Sequence, residues 1–277
     1  MGNGGRRRRS GRRPQPHRVA PVSPGQDVAT VWSPFSPHLA GASPPPFIWA
    51  EGRFHSESDL HVSERRAMHS ASASRRIAYS GARACARAAM ATGGLPPGPV
   101  LKGRSGEPVW PSSEVVGSLS HSRPFCAAGI AMRDDVPGLG VDIEVHRRLP
   151  DEVRSAIATD AEYEEIRTSL KHESMNSVEE ILLFSAKEAC YKALCRSGQA
   201  LTKLSNIRVN DFASERNSGS LHGRFRGKAP SNSLRACSLL GMFQQDVDVT
   251  RVIAWRVRPC AHGEPLGLAC GRSRYLR

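Results

Sequence analysis

A chain of 277 residues with a formal net charge of +13 is long enough for one large domain or two small ones. Its hydrophobic content of 39% supports a lean core, and no apolar run is long enough for a helix that spans a bilayer. Seven of the positive charges (Arg6, Arg7, Arg8, Arg9, Arg12, Arg13 and Arg18) fall within residues 1 to 25, which hold no acid, so the rest of the chain is only modestly basic. The seven cysteines form no C-x-x-C pair, and the Arg-rich start is not followed by an apolar h-region. Reduced thiols in a cytoplasmic protein are therefore expected.

Residues 1–46 are rich in Arg, Pro, Ser and Gly with few periodic apolar positions, and they read as a disordered basic extension. A tail for nucleic acid or lipid is the functional alternative; a dispensable extension or a wrongly chosen start codon is the simpler one, and is preferred. From residue 47 the apolar and aromatic content is sufficient to begin a fold. Ser63-Glu64-Arg65-Arg66 opens a helix that runs on or restarts through Arg75 to Tyr79, and Ala82 to Met90 is Ala-rich and strongly helical. Gly93-Gly94-Leu95-Pro96 ends it. Arg83 and Arg87 lie four apart, as solvated charges or, with Arg75 and Arg76, as an anion site.

Val100 to Pro111 reads as strand, turn, strand, with Lys102 and Arg104 in it, and Val115 to Ser122 as a short strand closed by Ser120, His121 and Ser122. Phe125 to Met132 is the next strand, Asp134 to Gly138 a turn, and Leu139 to Val145 a strand of alternating character. In that strand Val141, Ile143 and Val145 share one side, and Asp142 and Glu144 the other. Two carboxylates held together repel unless a cation lies between them, and an all-oxygen pair suits a hard divalent ion such as Mg²⁺.

The acid-rich stretch 147–180 reads as two short helices, about 151–158 and 160–170, with a loop at 171–177. Val178 begins a helix to about Cys195, with Arg196 in its last turn and Gly198 as C-cap. On it Glu188 and Lys192 share a face, and Phe184, Ala189, Ala193 and Leu194 supply a buried flank. Strands are expected over 207–212, 221–225 and 247–257, and a mobile tail over 259–277.

G-V-D-I-E, then about forty residues, then F-S-A-K-E-A-C-Y-K-A-L resembles the signature of the 4'-phosphopantetheinyl transferases. Residues 106–122 resemble the family's G-E-P-x-W-P…V-V-G-S-L-T-H-C, with Ser120 for Thr and Ser122 for Cys. The Arg75–Arg87 stretch is similar to R-R-x-E-F…A-R-x-C-A-R of the enterobactin-synthetase component D-like (Sfp-type) branch, with Ala78 where Glu is common. The resemblance implies an α+β fold of two similar halves, a pseudo-dimer, with halves of about 47–138 and 139–258.

It also implies an activity: transfer of 4'-phosphopantetheine from coenzyme A to a serine of an apo acyl or peptidyl carrier protein, by a monomer that uses Mg²⁺, or Mn²⁺ as an alternative. Asp142, Glu144 and Glu188 would be the metal ligands, and Glu188 and Lys192 the catalytic residues. Glu188 would act as base directly or through a metal-bound water. Arg76, Arg83, Arg87, Lys102, Arg104, Ser120, His121, Lys187 and Lys192 would contact coenzyme A, although Lys187 points about 100° away from Glu188 and could instead be solvated. Arg147, Arg148, Lys203 and Arg208 are candidates for a surface that docks an acidic carrier. The branch points to polyketide, nonribosomal-peptide or siderophore synthases. Rival readings are a non-catalytic coenzyme A or carrier-binding module and a basic nucleic-acid-binding protein; neither a membrane nor nucleic acid is the expected partner.

Overall fold

The computed structural model describes residues 29–31, 46–54, 56–57, 60–170, 178–194, 203–215, 218–225, 237–245 and 248–256. The expected loop at 171–177, the C-cap at Gly198 with Arg196, the tail 259–277 and nearly all of the extension 1–46 lie outside them. One part of the extension needs correction. Thr30–Val31 form a short strand, β1, which pairs antiparallel with β2 (Ile48–Arg53). The edge of β2 offers backbone groups that need partners, and Val31 packs on the core beneath it, so tertiary context overrides the composition.

The first unit continues through α1 (Val62–Ala67), α2 (Ala73–Thr92), β3 (Leu101–Lys102), β4 (Pro108–Val109), β5 (Val115–Ser122) and β6 (Phe125–Met132). Its four-stranded sheet has the order β1-β2-β6-β5. The second unit runs through β7 (Leu139–Val145), α3 (Asp151–Ile157), α4 (Asp160–Leu170), α5 (Val178–Leu194), a 3-10 turn (Leu204–Asn206), β8 (Ile207–Glu215), β9 (Ser218–Phe225), β10 (Cys237–Gln245) and β11 (Val249–Arg256). Its five-stranded sheet has the order β7-β11-β10-β9-β8. In both units the opening strand, β2 or β7, pairs with the closing strand, β6 or β11, which pairs in turn with the strand before it. A long helix covers each sheet: α2 lies on β2 and β6, and α5 on β7 and β11. This repeated connection gives the expected α+β fold of two similar halves.

Small residues let the helices come close to the sheets. Cys85, Ala86 and Ala89 of α2 are fully buried, and α5 buries Ile181, Leu182, Leu183, Ala186 and Ala189. Ser72 caps α2 by accepting from the Arg75 N–H, and Gly94, at φ +70, lets the chain leave it. A third cluster, with Trp49, Phe125, Val141, Ile143, Met242 and Ile253, fills the space between the two sheets. Gly129 permits that packing, because a Cβ there would collide with Val141. A buried ion pair ties the units as well: Arg251 donates to Glu51 from Nε at 2.6 Å and from Nη2 at 2.7 Å. Among the described residues no helix is long and apolar enough to cross a membrane, and Cys85, Cys126 and Cys190 are buried free thiols.

Candidate active site

The two sheets meet edge to edge, β5 of one against β7 of the other. Because side chains alternate along a strand, Asp142 and Glu144 project together from β7, and Ser120 and Ser122 together from β5. The pairs match. Ser120 Oγ donates to Asp142 Oδ1 at 2.7 Å, and Ser122 Oγ donates to Glu144 Oε2 at 2.8 Å. Asp142 is buried, and its Oδ2 has no hydrogen-bond partner. Glu144 is held at a pKa of about 7, raised first by burial and then by the Asp142 carboxylate, while the Ser122 hydrogen bond pulls the other way.

Helix α5 crosses this seam. Gly140 admits it, since a Cβ there would strike the Ala189 carbonyl oxygen. Lys192 Nζ reaches Asp142 Oδ1 at 2.6 Å and both Val141 O and Ser120 Oγ at 3.2 Å. Burial opposes its charge, but Asp142 and then Glu188 prevail and hold the ammonium above its ordinary pKa. Glu188 Oε2 lies 4.0 Å from the same nitrogen, and burial raises the Glu188 pKa against the pull of Lys192.

The donor set fits a hard divalent cation: two mutually repelling carboxylates share one strand face, and one of their oxygens is buried without a partner. Among the described residues no three His, Cys, Asp or Glu side chains are gathered as a ready-made metal cluster. Glu188 is linked to the acidic pair through Lys192 instead.

Beside the seam opens a cleft of about 740 Å³, lined in part by Arg83, Lys102, His121, Glu188 and Lys192. The Arg83 guanidinium stacks 3.5 Å from the centre of the Tyr79 ring and donates from Nε to Val100 O at 3.0 Å; burial lowers its pKa. The His121 pKa is lowered by desolvation of the ring and then by Lys192. The cleft is thus lined by Arg83, Lys102, His121 and Lys192, and Lys192 connects it to the carboxylate seam.

The structure places several of the residues expected to contact coenzyme A away from the cleft or in pairs with other side chains. Lys187 is fully buried on the far side of α5, where it pairs with Glu162 Oε1 at 2.9 Å and donates to Ile157 O at 2.6 Å. It is neither a ligand contact nor solvated. Arg76 is engaged by Glu57 at 2.8 Å, and Arg87 by the buried carboxylate of Glu64 at 3.0 Å; neither lines the cleft. Arg104 is exposed and also absent from the cleft wall. The Ser120 hydroxyl is buried against Asp142 and not offered to a ligand. Of the docking candidates, Arg147, Arg148 and Arg208 are committed to Glu144, Asp151 and Glu165.

Arg75, named from the sequence only within a general anion site, lines the cleft wall, and sequence reasoning missed Tyr79, Trp110 and Tyr191 beside it. The spacing of Arg75, Tyr79 and Arg83, four residues apart each time, puts them on one helix face and could have found Tyr79.

Residues 63–131 match the family model described as the 4'-phosphopantetheinyl transferase N-terminal domain, and residues 138–246 match that of the 4'-phosphopantetheinyl transferase superfamily. The chain is 42% identical over 115 residues to the 4'-phosphopantetheinyl transferase Svp of Streptomyces mobaraensis, covering 42% of this chain and 46% of that protein. It is 41% identical over 122 residues to PptT of Mycobacterium tuberculosis, covering 44% of this chain and 52% of that protein. With Npt of Nocardia iowensis it shares 38% over 133 residues, 48% of this chain and 58% of that protein. The chain thus spans about half the length of the curated relatives it matches.

Proposed function

The chain belongs to the 4'-phosphopantetheinyl transferase superfamily, and from that membership we propose that it moves 4'-phosphopantetheine from coenzyme A onto a serine of an apo acyl or peptidyl carrier protein, releasing adenosine 3',5'-bisphosphate. The observation that carries the reading is the seam itself, where Lys192, which lines the cleft, holds Asp142, and Asp142 and Glu144 share one face of β7. The similarity to three 4'-phosphopantetheinyl transferases supports it.

Asp142 and Glu144, joined by Glu188, would hold a divalent cation, Mg²⁺ or Mn²⁺. Such an ion, when bound, offsets charge on the pyrophosphate of coenzyme A. Arg83, Lys102 and His121 would receive the remaining phosphates and fix the ligand in the cleft. Lys192 supplies a second positive charge at the reacting phosphoryl group, for which its raised pKa suits it. Glu188 takes the proton of the carrier serine, directly or through a water, and burial keeps its carboxyl more basic than usual. Holding the two substrates in register contributes much of the rest. The Sfp-type branch that the sequence resembles favours carriers of polyketide, nonribosomal-peptide or siderophore synthases.

The reading is tested by chromatography of a reaction containing coenzyme A, Mg²⁺ and an apo carrier. Adenosine 3',5'-bisphosphate should accumulate only when the carrier is present. Coenzyme A that binds but stays intact with carriers of every class would sink the enzyme reading and leave a binding module.

A further inference from the structure

The hydroxyl of Ser122 makes two contacts whose directions are fixed. It lies 3.1 Å from the backbone nitrogen of Val145, which can only donate, so the serine oxygen accepts there. Its single proton is then committed to Glu144 Oε2 at 2.8 Å. Val145 follows Glu144 on β7, so one side chain of the first unit grips both the carboxylate and the backbone next to it. Two residues earlier the pattern repeats: Ser120 accepts from Lys192 Nζ at 3.2 Å and donates to Asp142 Oδ1 at 2.7 Å. Each serine holds one oxygen of its carboxylate, and the other oxygen of Asp142 is left buried without a partner.

We propose that Ser122 is a positioning residue: it locks Glu144 through Oε2 so that Oε1 is presented to the divalent cation. The inference rests on the transferase reading above. The family pattern that residues 106–122 resemble has Cys at this position, and a thiol donates only weakly. The Ser122 hydroxyl therefore gives this chain a stronger tie to Glu144 than that pattern supplies. A serine that merely secured the Val145 N–H would affect stability, but not the affinity of the folded protein for a metal.

The test is Mn²⁺ binding by electron paramagnetic resonance to the full chain and to Ser122→Ala, Ser122→Thr and Ser122→Cys, with a melting curve for each. Removing an outer partner of a metal ligand costs about 10–100-fold in affinity. Ser122→Ala should lose on that order, Ser122→Thr should bind close to the parent chain, and Ser122→Cys should fall between them. If Ser122→Ala does not fold, the Thr and Cys variants carry the comparison. Equal Mn²⁺ affinity in the parent chain and the Ala or Cys variant would overturn the proposal, as would a Thr variant as weak as Ala. A parent chain that binds no Mn²⁺ is a separate outcome, which overturns the metal site and this role with it.

Discussion

Lys192 Nζ lies 2.6 Å from Asp142 Oδ1, although one residue belongs to α5 and the other to β7. The contact depends on how closely the helix lies on the strand, and that closeness depends on Gly140, where a Cβ would meet the Ala189 carbonyl and the Ala193 nitrogen. The glycine of G-V-D-I-E is thus part of the site without touching any ligand.

Gly140→Ala should push α5 away from β7. The obstacles are backbone atoms and cannot rotate aside, so the change should destabilise the fold by about 1–3 kcal/mol. Transfer per folded molecule should fall as well, because Glu188 and Lys192 move with the helix. Chemical denaturation and single-turnover assays on the folded fraction check both; an unchanged midpoint would contradict the packing account.

Glu144 makes stability depend on pH. Its folded pKa of about 7 stands above the ordinary 4.5, so between those values the folded protein keeps a proton that the unfolded chain has released. This contribution is complete below the lower value and is lost as pH rises through the upper one. For metal-free protein in EDTA it amounts to at most about 3 kcal/mol. Urea unfolding of the parent chain and Glu144→Gln, at about pH 5 and about pH 8, should show that the parent loses more stability than the variant. Parallel losses would count against it.

The buried Lys187–Glu162 pair supports α5 from behind. Lys187→Met leaves the Glu162 carboxylate in the core without its cation and should cost about 3–5 kcal/mol. Lys187→Met with Glu162→Leu should recover most of that loss. Coenzyme A affinity should not change in the folded double variant, and a marked loss there would return Lys187 to the ligand site.

Arg83 and Arg76 should behave differently, though both are arginines of α2. Arg83→Ala removes a buried cation from the cleft wall, worth about 1.5–3 kcal/mol, and should raise KM for coenzyme A more than it lowers kcat. Arg76→Ala removes a partly exposed pair with Glu57 and should stay within about 0.5 kcal/mol in stability, with KM unchanged. A KM rise in Arg76→Ala that matched Arg83→Ala would contradict the placement of the cleft.

The parts of this molecule that were legible in its sequence were those whose pattern is local. The alternation over 139–145 announced β7 and the shared face of Asp142 and Glu144, and Ala-rich and apolar spacing announced α2 and α5. Partners set by tertiary packing were not legible. Strand β10 was missed because Leu239, Leu240, Met242 and Phe243 lack the apolar–polar alternation by which a half-buried strand is recognised. Arg75 lines the cleft and Arg76 does not, a difference of helical phase of about 100° that sequence reasoning, which named both, did not resolve. Lys187 was misplaced because a buried lysine is rare, and nothing near it in sequence reveals Glu162 waiting on α4. Thr30–Val31 were assigned to a disordered extension because the edge of β2 that orders them is not written in their own composition.

Intact-mass spectrometry of an apo carrier protein tests the central claim most directly. It would be incubated with coenzyme A, Mg²⁺ and either the parent chain or Asp142→Ala, with coenzyme A binding measured alongside. The parent chain should add one phosphopantetheine to the carrier, and neither the variant nor the parent chain in EDTA should do so. A carrier modified equally by the variant would show that the seam of β5, β7 and α5 is not where the transfer takes place.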